Sequence, residues 1–379
     1  MKVLQTVVRR ASITADDFSA LAAIEPNLVL AFGSVQALQA GADAMAQAFP
    51  GAHRAGCSTA GEISAKGVED GTLVVTALHF DHARCAQVST VLAGMDDSFA
   101  AGKRLASGLP IVGLRAILIF GQGVQINGSA VLSGMTDIVG ARVPITGGLA
   151  GDGGAFAQTW VLDDKGASSN RLTCVGLYGP ELQFSHGSFG GWSPFGPARK
   201  VTRCDNNVLY ELDGESALAV YKRYLGEHAN GLPASGLLFP FAMLGSDHAE
   251  VGLIRTILGV DEAAGSLTLA GDIDPNGYLR LMHASTDALV DGAEAAAEAA
   301  RAMLSTTGPG LALLVSCVGR KLVMGGRVDE EVEAVGEVFG KGATLAGFYS
   351  YGEISPFSPA VECKLHNQTM TITYIAEAV

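Results

Sequence analysis

Apolar runs of strand length recur along the chain, each bounded by glycine or polar turn residues. Residues 27–33 (NLVLAFG) form one such run, and the Ala-rich stretch 37–49 behind it has helical spacing. Residues 72–80 (TLVVTALHF) are rich in β-branched side chains and read as a further strand. Between helix and strand lies a Gly-rich turn, GCSTAGEIS, at residues 56–64. The same order of strand, helix, turn and strand returns near the C-terminal end. There it is residues 311–316 (LALLVS), 330–339 (EEVEAVGEVF), 347–355 (GFYSYGEIS) and 368–375 (QTMTITYI). Gly56, Gly61, Glu62, Ile63 and Ser64 of the first turn recur as Gly347, Gly352, Glu353, Ile354 and Ser355 of the second. A duplicated supersecondary unit explains this.

A weaker echo lies between them: residues 115–120 (RAILIF), the segment 129–139, and GGLAGD at 147–152. Further strand-like runs at 172–178, 267–270 and 278–282 point to mixed sheets, with helices expected at 215–225 and 288–304. The predicted fold is therefore α/β (mixed α+β). It has two related halves, each a mixed β-sheet covered by helices. The turn-rich stretch 204–207 (CDNN) is the best boundary, giving domains over 1–205 and 206–379.

Length and composition sharpen this picture. A chain of 379 residues exceeds what one hydrophobic core organises, and 48% hydrophobic against 17% charged residues, with 49 glycines, implies many tight turns between buried strands. A formal net charge of −13 opposes binding to a phosphate backbone. Basic residues occur singly or in pairs such as Arg9 and Arg10, so no anionic membrane surface is expected as a partner. The six cysteines are widely spaced, and the apolar runs are too short for a secretory or spanning segment. A cytoplasmic protein with reduced thiols is expected.

The turns are the first candidates for chemistry. Glycine lets the backbone approach a ligand, and Cys57, Ser58, Thr59, Glu62, Ser350, Tyr351 and Glu353 supply polar groups, so a small polar molecule is an expected ligand. The bland alternative is that the two glutamates only satisfy backbone N–H groups of the turn. Residues 56–60 loosely resemble a nucleophile elbow, which admits an uncharacterised hydrolase as an alternative. Residues 62–71 read as a loop where a helix is required, however, and Phe348 and Tyr349 replace Cys57 and Ser58 in the second copy. A non-enzyme is predicted. GGLAGDGG at 147–154 reads as a turn, since it lacks the Lys-Ser/Thr ending of a phosphate loop. His79 and His82 read as surface imidazoles. Residues 182–196 (LQFSHGSFGGWSPFG) gather Phe184, Phe189, Trp192 and Phe195 around His186, a setting in which a neutral imidazole can ligate haem iron. His248 and His283 are lesser candidates, and an ordinary core histidine is the alternative for each.

Together, GCSTAGEIS, FGPARKVT, VLYELDGESALAVYKRYLG, LTLAGDI, GFYSYGEISPF and LHNQTMTITYI resemble the FIST family over nearly the entire chain. The resemblance implies an intracellular sensory module that binds small ligands such as amino acids. Stand-alone members include haem-binding nitric oxide sensors that control a partner histidine kinase, and this chain is similar to them in length and layout. The expectations are therefore a small-molecule ligand, haem in one version, and a separate histidine kinase or other signalling protein as partner. Whether the chain forms a homodimer is open.

Overall fold

A computed structural model of the protein describes residues 1–304, 309–357 and 362–378. The first unit runs β1 (Lys2–Val8), a one-turn helix α1 (Ser19–Ala22), β2 (Leu28–Gly33), α2 (Val35–Ala48) and β3 (His53–Ser58). A hairpin of β4 (Glu62–Ser64) and β5 (Gly67–Glu69) follows, then β6 (Leu73–His79). Ser34 starts α2 by accepting the amide of Ala37 at 3.2 Å, an N-cap that satisfies a donor the helix leaves open.

The weaker echo in the sequence is a complete second unit. It comprises β7 (Arg84–Val91), α3 (Ser98–Ser107), β8 (Leu114–Gly121), α4 (Gly128–Val139), β9 (Ile145–Leu149), the hairpin β10 (Val161–Asp163) and β11 (Gly166–Ser168), and β12 (Arg171–Tyr178). The third unit opens with β13 (Leu182–Phe189) and is interrupted by a separate sheet. That insertion holds β14 (Ser193–Pro194), β15 (Arg199–Asp205), β16 (Val208–Leu212), β17 (Glu215–Ser216), α5 (Ala217–Leu225), β18 (Phe241–Leu244), β19 (Glu250–Arg255), β20 (Ile257–Asp261), β21 (Ser266–Leu269) and β22 (Tyr278–His283). The unit resumes with α6 (Thr286–Ala302), β23 (Gly310–Cys317), α7 (Val318–Met324), α8 (Asp329–Phe339) and β24 (Ala343–Ser350). It ends with the pair β25 (Gly352–Pro356) and β26 (Cys363–His366), then β27 (Met370–Glu377).

Three six-stranded sheets result, with orders β1-β6-β2-β3-β10-β11, β7-β12-β8-β9-β25-β26 and β13-β27-β23-β24-β4-β5. In each, a parallel pair sits beside antiparallel neighbours, and the last two strands come from a different unit. Residues 62–71, expected to be a loop, are such a lent hairpin. Ser64, Ile63 and Glu62 pair with Ala346, Gly347 and Phe348 of the third unit, which is why nothing local marks them as strands. The turn at 204–207 joins β15 to β16 within the inserted sheet.

The three sheets enclose one apolar core, and helices cover their outer faces. At its centre the Phe32 ring stacks on Phe348 at 4.8 Å and meets Phe120 edge-on at 5.5 Å. The parallel pairs close tightly because of one equivalent glycine in each unit. A Cβ at Gly56, Gly147 or Gly347 would stand 1.8, 2.0 or 1.8 Å from the carbonyl oxygen of Ala31, Ile119 or Leu314. All six cysteines are free thiols. Among the described residues no helix is long and apolar enough to cross a membrane.

Candidate functional site

The two Gly-Glu-Ile-Ser turns hold the same polar clamp. Glu62 accepts from the Thr59 hydroxyl through one oxygen, and from the amide and hydroxyl of Thr72 at 2.8 and 2.9 Å through the other. Glu353 accepts from the Ser350 hydroxyl at 2.7 Å, and from the amide and hydroxyl of Thr369 at 3.1 and 3.0 Å. Each carboxylate thus ties its turn to the start of the unit's last strand. Burial pushes the Glu353 carboxyl up to about 8 against these donors, and raises Glu62 less far. The second unit carries Asp152 one position earlier. It accepts the Phe156, Ala157 and Gln158 amides at 2.8, 2.7 and 2.9 Å and the Tyr351 hydroxyl. Burial opposes ionisation of Asp152, but these donors outweigh it and hold its carboxyl below the usual range.

Cys57, Ser58, Ser350 and Glu353 are sealed in the interior. The Ser58 hydroxyl donates to the Gly151 carbonyl at 2.6 Å and accepts the Trp160 amide at 2.8 Å. Burial raises the Cys57 thiol well above its usual range, so neither residue presents a free nucleophile. Thr59 and Glu62 border a polar cleft of about 280 Å³ together with Ser34, Asp70, Asp152 and Lys321. Lys321 is already occupied there, donating to the Ala60 carbonyl at 2.9 Å and to Asp70.

Tyr351 reaches a second cleft that both halves build. This cavity, about 240 Å³, lies between the loop 121–128 leading into α4 and the inserted sheet of the third unit. Its wall is aromatic: the rings of Tyr351 and Phe156 stack at 4.1 Å. The Tyr351 hydroxyl accepts the Gly154 amide at 3.0 Å, which fixes the loop bearing Phe156. Leu149, Leu269 and Leu365 give an apolar floor. Asn127 caps α4 by accepting the Ala130 amide at 3.0 Å, and its Nδ2 reaches Asp272 across the cleft at 3.4 Å. The first amides of α4, at Gly128 and Ser129, precede the first intrahelical bond and form the positive end of the helix. Asn367 lines the same cavity at 1% exposure, and its Oδ1 has no hydrogen-bond partner among the described residues. Such an orphan acceptor costs about 1–3 kcal/mol unless a donor reaches it.

Asn127, Phe156, Asp272 and Asn367 were not legible as site residues. Asp272 and Asn367 fall inside the blocks LTLAGDI and LHNQTMTITYI, but an amide or carboxylate there looks like any turn residue. The loop GQGVQING, following a strand and opening a helix, was the available signal for Asn127.

The histidines expected to ligate haem do not fit it. His186 sits in β13, buried, with Nδ1 unpartnered, and burial pushes its imidazole down to about 4. The aromatic residues near it in sequence disperse: Phe189 and Phe195 are 52% and 39% exposed, and Trp192 donates to the Gln368 carbonyl at 2.7 Å. An apolar cleft of about 450 Å³ takes in Phe189, Trp192, Met243 and Met282, but its imidazole is His366, whose Nε2 lies 3.1 Å from the Ser355 carbonyl oxygen. His248 lies in the turn after β18 with its ring 3.9 Å from Tyr278, and His283 ends β22 against Phe195. None of the three histidines borders a cleft described here. His79 Nδ1 lies 2.7 Å from the Glu25 carbonyl oxygen, and among the described residues no three His, Cys, Asp or Glu gather as a metal requires.

Comparison with known proteins adds to this geometry. The chain is 28% identical over 199 residues to Uncharacterized protein MJ1623 of Methanocaldococcus jannaschii, a stretch covering 48% of this chain and 36% of that protein. Two structures of cyanuric acid hydrolase, one from A. caulinodans, align over 99–100% of both chains, at 10% identity and a TM-score of 0.36. A likeness that low carries no argument here. Residues 27–215 match the FIST N domain and residues 217–356 the FIST C domain. The chain therefore belongs to the FIST family, whose domains are sensory domains that bind small ligands.

Proposed function

We propose that the protein senses a small amino-bearing metabolite, of the size and character of an amino acid, in the cleft shared by its two FIST domains. The observation that carries this reading is the buried, unpartnered Oδ1 of Asn367 in a cleft that the Asp272 carboxylate also lines. Both are acceptors, and an ammonium group supplies the donor that Asn367 lacks and a charged one for Asp272, which holds only the long contact from Asn127. The positive end of α4 faces the same space and suits a carboxylate. The Tyr351–Phe156 stack and the leucine floor leave an apolar wall for a side chain. A volume of about 240 Å³ lies below the range of pockets for drug-sized ligands and so favours a smaller molecule.

The mechanism follows from the walls of the cleft. Asn127 and Phe156 belong to the N domain, and Asp272 and Asn367 to the third unit. A ligand touching both stabilises one packing of the inserted sheet against α4 by its differential affinity for that packing. A separate signalling protein then reads the altered surface. The test is thermal unfolding of the full chain with each of the twenty amino acids. At least one should raise the midpoint in a saturable way, and Asp272→Asn should weaken that response about tenfold. No response to any amino acid sinks the proposal.

A further inference from the structure

Beyond Asp272 and Leu365 lies another cleft, about 520 Å³, between α4 and the strands β19 and β26. Arg255, the last residue of β19, is on its wall at 4% exposure. Nε donates to the Asp272 carbonyl at 3.2 Å, and Nη1 to the carbonyls of Ile254 and Leu365 at 3.2 and 3.3 Å. These acceptors are neutral. Among the described residues no carboxylate forms an ion pair with Arg255, and Nη2 has no acceptor. Arg320, which is buried as well, pairs with Glu331 at 2.8 Å. A buried charge without a counter-charge is costly. Burial accordingly pushes the Arg255 guanidinium down to about 10, with Asp272 acting the other way.

The remaining groups of the cleft narrow what completes it. Ser129, Ser133 and Thr136 line the α4 side. Asp137 is paired with Lys103 at 2.6 Å, and Glu362 with Lys364, so these acids are already compensated. Asp272 adds a negative charge at the rim. Such surroundings admit one further negative charge more readily than two.

We propose that this cleft is a second ligand site, which binds a small carboxylate-bearing metabolite with its carboxylate against Nη2 of Arg255 and its remaining polar groups toward the hydroxyl-lined face of α4. A carboxylate oxygen accepts a charge-assisted hydrogen bond there, and the guanidinium gains the directly paired carboxylate it lacks. This assignment does not rest on the amino-bearing ligand proposed for the shared cleft, although the two clefts have Asp272 and Leu365 in common.

The test uses the full chain, with thermal unfolding and calorimetric titration in sodium acetate, sodium succinate, sodium phosphate and sodium chloride at matched ionic strength. The carboxylates should raise the midpoint in a saturable way that chloride does not reproduce. Arg255→Gln should weaken that binding about tenfold or more. Ser133 is exposed on α4, so Ser133→Trp fills the cleft while keeping the guanidinium, and it should abolish binding even if Arg255→Gln fails to fold. Asn367→Leu should leave the carboxylate response intact, which separates this site from the shared cleft. Equal responses to all four salts, a preference for phosphate, or carboxylate binding that survives Ser133→Trp would each overturn the assignment.

Discussion

The amide of Ala60 donates to the carbonyl of Tyr349 at 2.8 Å, and this bond is one of three that close a ring. Tyr351 donates to Leu149 at 3.1 Å, and Gly151 donates to Ser58 at 2.8 Å. The donors hold the same position in the Gly-rich turns of the three units, and so do the acceptors. Each turn gives to one neighbour and receives from the other. The three units are thus joined in a cycle at their turns, above the Phe32, Phe120 and Phe348 rings.

That centre should be sensitive to volume in both directions. Phe348→Ala empties it and should cost about 3–5 kcal/mol. Gly148→Ala overfills it, because a Cβ there would meet Val315 Cγ1 at 2.8 Å and the Gly352 carbonyl oxygen at 3.0 Å, so a loss of about 1–3 kcal/mol is expected. Urea unfolding of the two variants measures both.

The buried Arg320–Glu331 ion pair joins α7 to α8 in the third unit. Glu331 accepts from Arg320 at 2.8 Å, from Ser316 at 2.9 Å and from the Tyr349 hydroxyl at 2.5 Å. Glu331→Gln leaves the guanidinium buried without its counter-charge and should destabilise by about 3–5 kcal/mol. Tyr349→Phe removes one neutral donor and should cost about 1–2 kcal/mol. Equal losses in the two variants would contradict this ranking.

Two buried imidazoles should cost stability in mild acid, while the raised carboxyl of Glu353 works in the opposite direction between about pH 8 and its ordinary value. Burial pushes the imidazoles of His186 and His366 down to about 4, from an ordinary value near 6.5. The unfolded chain therefore takes up protons first as pH falls. The stability these residues contribute is fully present above pH 6.5 and is lost as pH drops from there through 4. Each contributes on the order of 3 kcal/mol. On going from about pH 7.5 to 5 the unfolding midpoint of the parent chain should drop further, or rise less, than that of His366→Gln, because the carboxyl contributions are common to both.

The parts of the fold that were legible were those whose signal is local. Residues 27–33 and 311–316 read as strands because an uninterrupted apolar run buries both faces, and they are β2 and most of β23. The helix expected at 330–339 is α8, with its buried stripe at Glu331, Val332, Val335 and Phe339. The hairpin of Glu62–Ser64 and Gly67–Glu69 was not legible because its pairing partner lies in the third unit. The second unit stayed faint because its turn carries Asp152 in place of the Gly-Glu pair. At the site, Tyr351 was singled out from its turn, whereas Asn367 gains its meaning only from a cavity that residues far apart in the chain close around it.

The clamp glutamates give a contrast between the turns and the shared cleft. Glu353→Ala removes the acceptor of the Thr369 amide and hydroxyl and should destabilise the chain by about 1–3 kcal/mol. It should leave ligand affinity unchanged wherever the variant is folded. A change in affinity without a change in stability would return the turns to the binding site.

The most direct measurement is calorimetric titration of the full chain with the amino acid that most raises its unfolding midpoint, repeated on Asn367→Leu. The account predicts one bound ligand per chain and a loss of about tenfold or more in the variant, which keeps its fold because the leucine replaces an unpartnered amide oxygen. Undiminished binding in a folded Asn367→Leu chain would contradict it.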